Sequence, residues 1–347
     1  MSNTTIALQK IDKFRGCLIG QAVGDALGFP SENLSRERIR RKFGRITEYH
    51  VRPHGAYYTD DTQLAIMLAE CLLEGGGFNS QLFRQKLGRW YVVLPRLSGR
   101  STKNAALKCL LGFNQTGYDV PGSSGAMRIA PLGLFYHDNH DALRQAAIDS
   151  CRITHTNKSA IAGALVVSFS VAYVLTAETI DVEEYLRLIA SEAAAYDESL
   201  ALRLRALPDL LDASEDDAVA ELLKNSTITG SPIGDIIAAA VFAFVKHHDN
   251  FEHSVQFCVN AGWDTDTMAA INGAICGAWC GLSGIPKRYV EHLENGYKGR
   301  DYILALSDRL ASREFNLPRT NPLVDLTQDY CRNTAFLYHM FRCKPML

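Results

Sequence analysis

Apolar positions recur at helical spacing along most of the chain, and that pattern sets the expected architecture. Phe14, Leu18 and Ala22 share one face of a segment that begins at Ile11. Leu64, Met67, Leu68, Cys71 and Leu72 share another after Thr62, and Gly75-Gly76-Gly77 supplies a stop. Leu82 to Leu94, Ala105 to Leu111, Thr179 to Leu211 and Glu215 to Leu223 read as further amphipathic helices. Ala160 to Leu175 is almost continuously apolar. It is shorter than a bilayer span and carries Ser168 and Ser170, as a central buried helix would. Gly230 to Gly234 opens a helix with Ile237, Ala240, Val241, Phe244 and Val245 on one face, and another apolar run spans Met268 to Leu282. Pro286 to Leu293, Tyr302 to Arg313 and a weak last segment, Val324 to Met340, complete the helical pattern. Pro131 shortens or kinks any helix over Met127 to Tyr136. Ser35 to Pro53 reads as basic and irregular, with at most one short strand over Ile46 to Val51, and Asn114 to Gly125 as a turn-rich loop. Asn316 to Pro322 reads as a linker. With no strand series and no βαβ alternation, the expected fold is all-α. One multi-helix domain is expected over residues 1–314, with a C-terminal extension, 315–347, packed on it.

Glycine adds a period of its own. Gly16, Gly20, Gly24 and Gly28 fall at every fourth position of the first helix, and Gly273, Gly277 and Gly281 repeat the spacing after Thr267. A glycine costs a helix interior roughly 1 kcal/mol against alanine, so two such stripes imply a close approach. Packed antiparallel, they place the end of the first helix beside the start of the later one. Glu32 then lies near Asp264 and Asp266.

A hydrophobic fraction of 47% and a charged fraction of 21% are those of a soluble globular protein. The formal net charge of −2 gives no support for nucleic-acid or anionic-membrane partners. No pair of the nine cysteines forms a CxxC motif, and Cys71, Cys276 and Cys280 sit in apolar helical patterns. Reduced, buried thiols in a cytoplasmic protein are the expectation. Met1 to Lys10 has no apolar core of signal-peptide length.

The chemistry gathers at two helix starts. Gly262-Trp263-Asp264-Thr265-Asp266-Thr267 precedes the apolar run at Met268, and Tyr58-Thr59-Asp60-Asp61-Thr62 opens the helix through Leu64. Asp264 and Asp266 stand too close in sequence to share a helix face, so they converge only where the chain is still irregular. Thr267 is expected just before the helix or as its first residue. Capping is the bland role for such side chains. One cap needs one oxygen, however, and each stretch holds several. The surplus of hard oxygen donors points to a hard divalent cation, Mg²⁺, Mn²⁺ or Ca²⁺. If the two stretches meet, Asp60, Asp61, Asp264 and Asp266, with Glu32, cluster like charges that two divalent cations would neutralise.

Other constellations compete for attention. Gly122-Ser123-Ser124-Gly125 offers backbone N–H groups to a phosphate, or is a plain turn. Arg128 reads as a phosphate partner or a solvated charge, and His155 as a structural residue or part of a site. Asp25 reads as a residue in reach of the site or, as the better reading, an ion-pair or helix-end hydrogen-bonding group. His137-Asp138 and His248-Asp249 resemble the ligand pairs of helical HD-type phosphohydrolases, which would need further histidines.

Five motifs in order resemble the ADP-ribosylglycohydrolases, of the dinitrogenase-reductase-activating type. They are Gly-Cys-Leu-Ile-Gly-Gln-Ala-Val-Gly-Asp-Ala-Leu-Gly at 16–28, Tyr-Thr-Asp-Asp-Thr at 58–62 and Gly-Ala-Met-Arg-Ile-Ala-Pro-Leu-Gly at 125–133. Thr-His-Thr-Asn at 154–157 and Gly-Trp-Asp-Thr-Asp-Thr at 262–267 complete the set. The resemblance implies an all-α domain with a dinuclear site, two Mg²⁺ or Mn²⁺ ions, between helices. It implies Thr59, Asp60, Asp61, Asp264, Asp266 and Thr267 as metal ligands, and Glu32 as a further ligand or a catalytic carboxylate beside Asp61. Gly99, Ser123, Ser124, Gly125, Ala126, Met127 and His155 are implied as walls of an ADP-ribose site. Two departures stand out: Trp263 where the family often has Gly, so placed that it could stack on or crowd a substrate, and serines before Gly125 where Asn-Gly is common. The implied activity is hydrolysis of the bond between ADP-ribose and a protein side chain, arginine favoured, with an ADP-ribosylated protein as substrate. A protective role against an ADP-ribosyltransferase toxin and a non-catalytic binder of ADP-ribosylated partners are the accompanying alternatives.

Overall fold

Two helices that touch backbone to backbone form the axis of the molecule. The computed structural model describes residues 3–50, 56–227, 230–315, 317 and 321–343. Among these residues the chain forms eighteen α-helices and only isolated β-bridges. In order they are α1 (Asn3–Gly28), α2 (Arg36–Phe43), α3 (Asp60–Gly75), α4 (Ser80–Tyr91), α5 (Arg100–Leu110) and α6 (Ser124–Met127). Next come α7 (Ala130–Phe135), α8 (His140–Arg152), α9 (Lys158–Thr176), α10 (Val182–Ala194), α11 (Glu198–Arg205) and α12 (Glu215–Leu222). The last six are α13 (Ile233–His247), α14 (Phe251–Ala261), α15 (Thr265–Cys280), α16 (Lys287–His292), α17 (Arg300–Ser312) and α18 (Pro322–Cys343).

The glycine stripes meet as their spacing requires. A Cβ on Gly16 would strike the Gly277 carbonyl, on Gly20 the Gly273 carbonyl, and on Gly24 the Ala269 carbonyl. The residue numbers rise on one helix as they fall on the other, so α1 and α15 run antiparallel. Around this pair stand α9, α13 and α14, whose apolar residues are almost all buried. The helix Lys158–Thr176 is apolar enough to cross a membrane by length and composition, yet 83% of its most apolar window is buried inside the protein. Asn272 on α15 is buried too, and donates to the Ala240 carbonyl and the Ser254 hydroxyl at 3.0 and 2.9 Å.

Several boundaries differ from those expected. Residues 36–43 form a helix because Ser35 caps it through the Arg38 N–H and Ile39 is buried. No strand forms over 46–50, and 51–53 lie outside the described residues. α8 and α14 were hidden in polar flanks, each opened by an asparagine cap, Asn139 and Asn250. The long segment from Thr179 breaks into α10 and α11 at Asp197, which caps the second helix. Pro131 sits in the first turn of α7, a position that needs no N–H, and so separates α7 from α6. Both acid-rich helices start earlier than expected, α3 at Asp60 and α15 at Thr265.

Candidate active site

The antiparallel pair brings the end of α1 against the start of α15. A Cβ on Gly28 would lie 2.6 Å from the Asp266 Cα. A short 3₁₀ turn, Phe29–Ser31, then leads to Glu32. Asn33 N–H donates to the Trp263 carbonyl and Trp263 N–H to the Leu34 carbonyl, both at 2.7 Å, which fixes Glu32 beside Asp264. The bend that permits this uses left-handed backbone at Gly262 (φ 101°) and Trp263 (φ 67°). That geometry explains why glycine suits position 263. Trp263 itself packs partly buried on the core rather than on the cavity described below.

The start of α3 is built from a different helix. Thr59, the residue before α3, makes no cap bond with its side chain. Asp25 of α1 does that work, accepting from the Thr59 N–H and hydroxyl at 3.0 and 2.8 Å and from the Thr62 N–H and hydroxyl at 3.0 and 2.6 Å. Asp264, the residue before α15, likewise makes no side-chain cap bond. Eight other helices are capped conventionally by their own Ser, Asn or Asp. The capping role therefore does not account for Asp60, Asp61 and Asp264.

These side chains line a cavity of about 230 Å³. One wall is acidic: Glu32, Asp60, Asp61, Asp264 and Asp266, with Thr267. The other carries Leu97, Gly99, Arg100, Ser101 and Thr102 at the start of α5, and Gly122, Ser123, Ser124, Met127 and His155 around α6. Gly125 and Ala126 are buried behind this wall, and a Cβ on Gly125 would meet Cys151 Sγ. Thr59 is buried behind the acidic wall, its hydroxyl held by Asp25. Gly122, with Ser123 and Ser124, lines the cavity as the phosphate-loop reading expected, whereas Leu97, Arg100, Ser101 and Thr102 carry no such expectation. The signal that could have found these four is the uncapped helix start at Gly99. A larger cavity, about 910 Å³, lies between α3, α4, α17 and α18. Its buried charges neutralise one another, Glu70 with Lys86 and Lys298 and the Tyr302 hydroxyl, so we place no chemistry there.

Like charge dominates the acidic wall of the small cavity, with Arg100 on the wall opposite. Burial, then Asp264 and Asp60, push Glu32 up to about 8. Burial, then Asp25, push Asp60 up to about 7. Asp61 and Asp266 are raised further, by burial and by their acidic neighbours, and Asp264 is raised by burial. Across the cavity, the first N–H groups of α5 have no side-chain cap. Helix starts of this kind favour anions.

Arg128 is neither solvated nor in the cavity. It is wholly buried and donates to the Thr154 hydroxyl at 2.9 Å and to the Ser124 and Ser150 carbonyls at 2.5 and 2.7 Å, joining α6 to the end of α8. His155 Nδ1 lies 3.0 Å from the Thr154 hydroxyl. Burial, then Arg128, push its imidazole down to about 3, so it is a neutral wall. The two His-Asp pairs lie elsewhere: His137 bonds the Leu134 carbonyl and Asp138 pairs with Arg313, while His248 bonds the Val245 carbonyl.

Among the described residues, no three His, Cys, Asp or Glu side chains form a ready-made enclosure for one metal ion. The donors nevertheless suit a hard cation. They are all oxygen, and Asp61 Oδ1 is buried with no hydrogen-bond partner. An orphaned carboxylate oxygen in a cluster of raised acids is a place for a proton or a cation.

The fold and the site thus define an all-α protein with an acid-lined cavity facing the uncapped start of α5. The chain belongs to the ADP-ribosylglycohydrolase family, a hydrolase family whose sequence model matches residues 6–319. It is 28% identical to ADP-ribosylarginine hydrolase Tri1 of Serratia proteamaculans, over 82% of this chain and 76% of that one. It is 25% identical to human ADP-ribosylhydrolase ARH3, over 87% of this chain and 94% of that one. A solved ADP-ribosylglycohydrolase-related protein complex superposes with a TM-score of 0.70 at 27% identity, covering 88% of this chain and 99% of that one.

Proposed function

We propose that the protein hydrolyses the N-glycosidic bond between ADP-ribose and an arginine side chain of a modified protein, with divalent cations bound at the acidic wall. The carrying observation is that Glu32, Asp60, Asp61, Asp264 and Asp266 line one cavity opposite the uncapped start of α5 and the loop at Gly122 to Ser124. The acidic wall suits cations and the ribose being cleaved; the start of α5 and the backbone of the Gly122 to Ser124 loop suit the diphosphate. Thr59, Asp60, Asp61, Asp264, Asp266 and Thr267, with Glu32, would hold Mg²⁺ or Mn²⁺. Bound there, such ions supply Lewis acidity toward the ribose hydroxyls and the water that attacks C1″.

The chain's own residues do the rest. Water adds to C1″ as the C–N bond breaks, through an oxocarbenium-like transition state. Glu32 is half-buried and sits at the end of a fixed turn, where it takes the water's proton. Asp61 is almost fully buried and serves the charge of the site. The leaving guanidine nitrogen takes up a proton. His155, neutral, and Met127 wall off the opposite side from bulk water. Arginine is favoured because Tri1 carries that activity in its name. A role against an ADP-ribosylating toxin rests on the family resemblance alone.

Incubation with arginine-linked and serine-linked ADP-ribosylated proteins, with and without Mg²⁺, tests the reading. Release of ADP-ribose from the arginine linkage, dependent on the cation, is the expected result. Release from serine alone overturns the linkage, and no release from either overturns the activity.

A further inference from the structure

The family match ends at residue 319, and α18 begins beyond it. Yet α18 places one buried asparagine behind the cavity, against two segments that carry its walls. Asn333 is 1% exposed. Its Oδ1 accepts from Gln63 Nε2 at 2.8 Å and from Arg96 Nε at 3.1 Å, and its Nδ2 donates to the Val93 carbonyl at 2.8 Å. Gln63 follows Asp60 and Asp61 in the first turn of α3. Val93 and Arg96 stand in the segment that leads from α4 to Leu97 and Gly99. One side chain therefore ties the acidic wall to the facing wall. Arg96 extends the tie: wholly buried, it donates to the Tyr58 carbonyl at 2.8 Å and pairs with Glu294, which Arg332 of α18 also grips at 3.0 Å.

A second tie is apolar. Phe336 of α18 is fully buried, with ring centroids 5.9 Å from Phe29 and 5.8 Å from Tyr57. Phe29 opens the turn that ends at Glu32. The segment that Asn333 holds also needs holding. Leu94 and Leu97 adopt φ of 56° and 46°, a region bulky residues avoid, and both are exposed, so neither is fixed by burial of its own side chain.

We infer that α18 is a positioning element of the active site, in which Asn333 sets the facing wall at Leu97 to Thr102 and Phe336 sets Glu32. Neither residue touches reacting atoms; both act through the groups they hold. The inference rests on the hydrolysis proposed above, and its test keeps the two separable.

Asn333→Leu keeps the branched shape and removes all three bonds, while Asn333→Asp keeps the acceptor for Gln63 and Arg96 and loses the donor to Val93. Backbone amide exchange over residues 92–99 is followed beside kcat and KM on the linkage that the wild type cleaves. In Asn333→Leu, exchange over 92–99 quickens and KM rises about tenfold with kcat close to wild type, as loss of binding geometry requires. Asn333→Asp recovers most of the KM. Phe336→Ala lowers kcat about tenfold and leaves KM little changed. A merely structural role would lower the folded fraction without this split. Unchanged exchange over 92–99 in Asn333→Leu overturns the tie, and wild-type kcat and KM in both variants overturn the positioning. A wild type that cleaves no ADP-ribose linkage overturns the functional reading instead, and exchange alone then decides whether Asn333 holds the wall.

Discussion

The carboxylate of Asp25 and the hydroxyl of Thr59 stand 2.8 Å apart across the contact between α1 and α3. Asp25 also takes the Thr59 N–H, the Thr62 N–H and the Thr62 hydroxyl, so the first turn of α3 is capped from another helix. Asp60 and Asp61, the natural first-turn acids, are thereby released to face the cavity. Burial pushes Asp25 up to about 6, against the pull of the bonds from Thr62 and Thr59.

Asp25→Ala is therefore expected to disable the site from outside it. It leaves buried donors on Thr59 and Thr62 without acceptors, at about 1–3 kcal/mol for each unsatisfied group. The start of α3 shifts, and Asp60 and Asp61 shift with it. Thermal melting should fall and turnover should drop sharply, with Asp25→Asn intermediate in both. An alanine variant with wild-type melting and turnover would show that α3 needs no outside cap.

The acids on the cavity wall should behave in the opposite way. Neither Asp60 nor Asp61 nor Asp264 caps its own helix, so alanine there costs little helical structure. Asp60→Ala, Asp61→Ala and Asp264→Ala are each expected to abolish hydrolysis with circular dichroism unchanged. In chelator, Asp61→Asn should melt no lower than wild type, because it removes one of several repelling charges. Turnover near wild type in any alanine variant removes that residue from the ligand set.

Much of this was legible in the chain. Glycine every fourth residue has one economical cause, close helix contact, and the two stripes paired in the antiparallel sense that their positions imply. The acid-rich stretches announced themselves because they hold more oxygens than a cap can use. What stayed hidden depends on partners distant in sequence. Asp25 reads as a helix-end hydrogen-bonding group, yet that the helix end is the start of α3, through Thr59 and Thr62, shows only once the chain folds. Arg128 carries the charge of a phosphate ligand, yet buried carbonyls consume it. The wall at Leu97 to Thr102 shows in sequence only through Gly99, a helix start without a Ser, Thr, Asp or Asn cap. Trp263 reads as a stacking ring only while its positive φ is unknown.

The stripe contact gives a prediction about geometry rather than chemistry. A Cβ at position 24 would sit inside contact distance of the Ala269 carbonyl, which is backbone and cannot rotate away. Overpacking of this kind costs typically about 1–3 kcal/mol. Gly24→Leu and Gly277→Leu should each melt lower and force α1 from α15, displacing Glu32 relative to Asp264. An error of about 1 Å in a catalytic group can cost roughly a hundredfold in rate. Folded variants that keep wild-type turnover would separate the helix contact from the site.

The raised acids predict how pH and cations trade places. In the unfolded chain Asp and Glu titrate near about 4. In the folded, cation-free protein Glu32 is pushed up to about 8 and Asp60 to about 7, with Asp61 and Asp266 raised as well. Below about pH 4 both states hold these protons, and the acids cost the fold nothing. As pH rises from about 4 toward 8 the unfolded chain releases protons that the folded cluster keeps. Folding then becomes steadily less favourable, and the cost is complete once pH passes the folded values. Cations that bind only the folded form compete with those protons and shift the equilibrium by mass action. In chelator, then, melting temperature should contain a component that falls between pH 5 and 8, which Asp61→Asn reduces. Added Mg²⁺ or Mn²⁺ should raise melting at pH 8 by clearly more than at pH 5.5. Differential scanning calorimetry over that range checks both slopes, and an equal cation effect at the two pH values would mean that the cations bind away from Glu32 and the four aspartates.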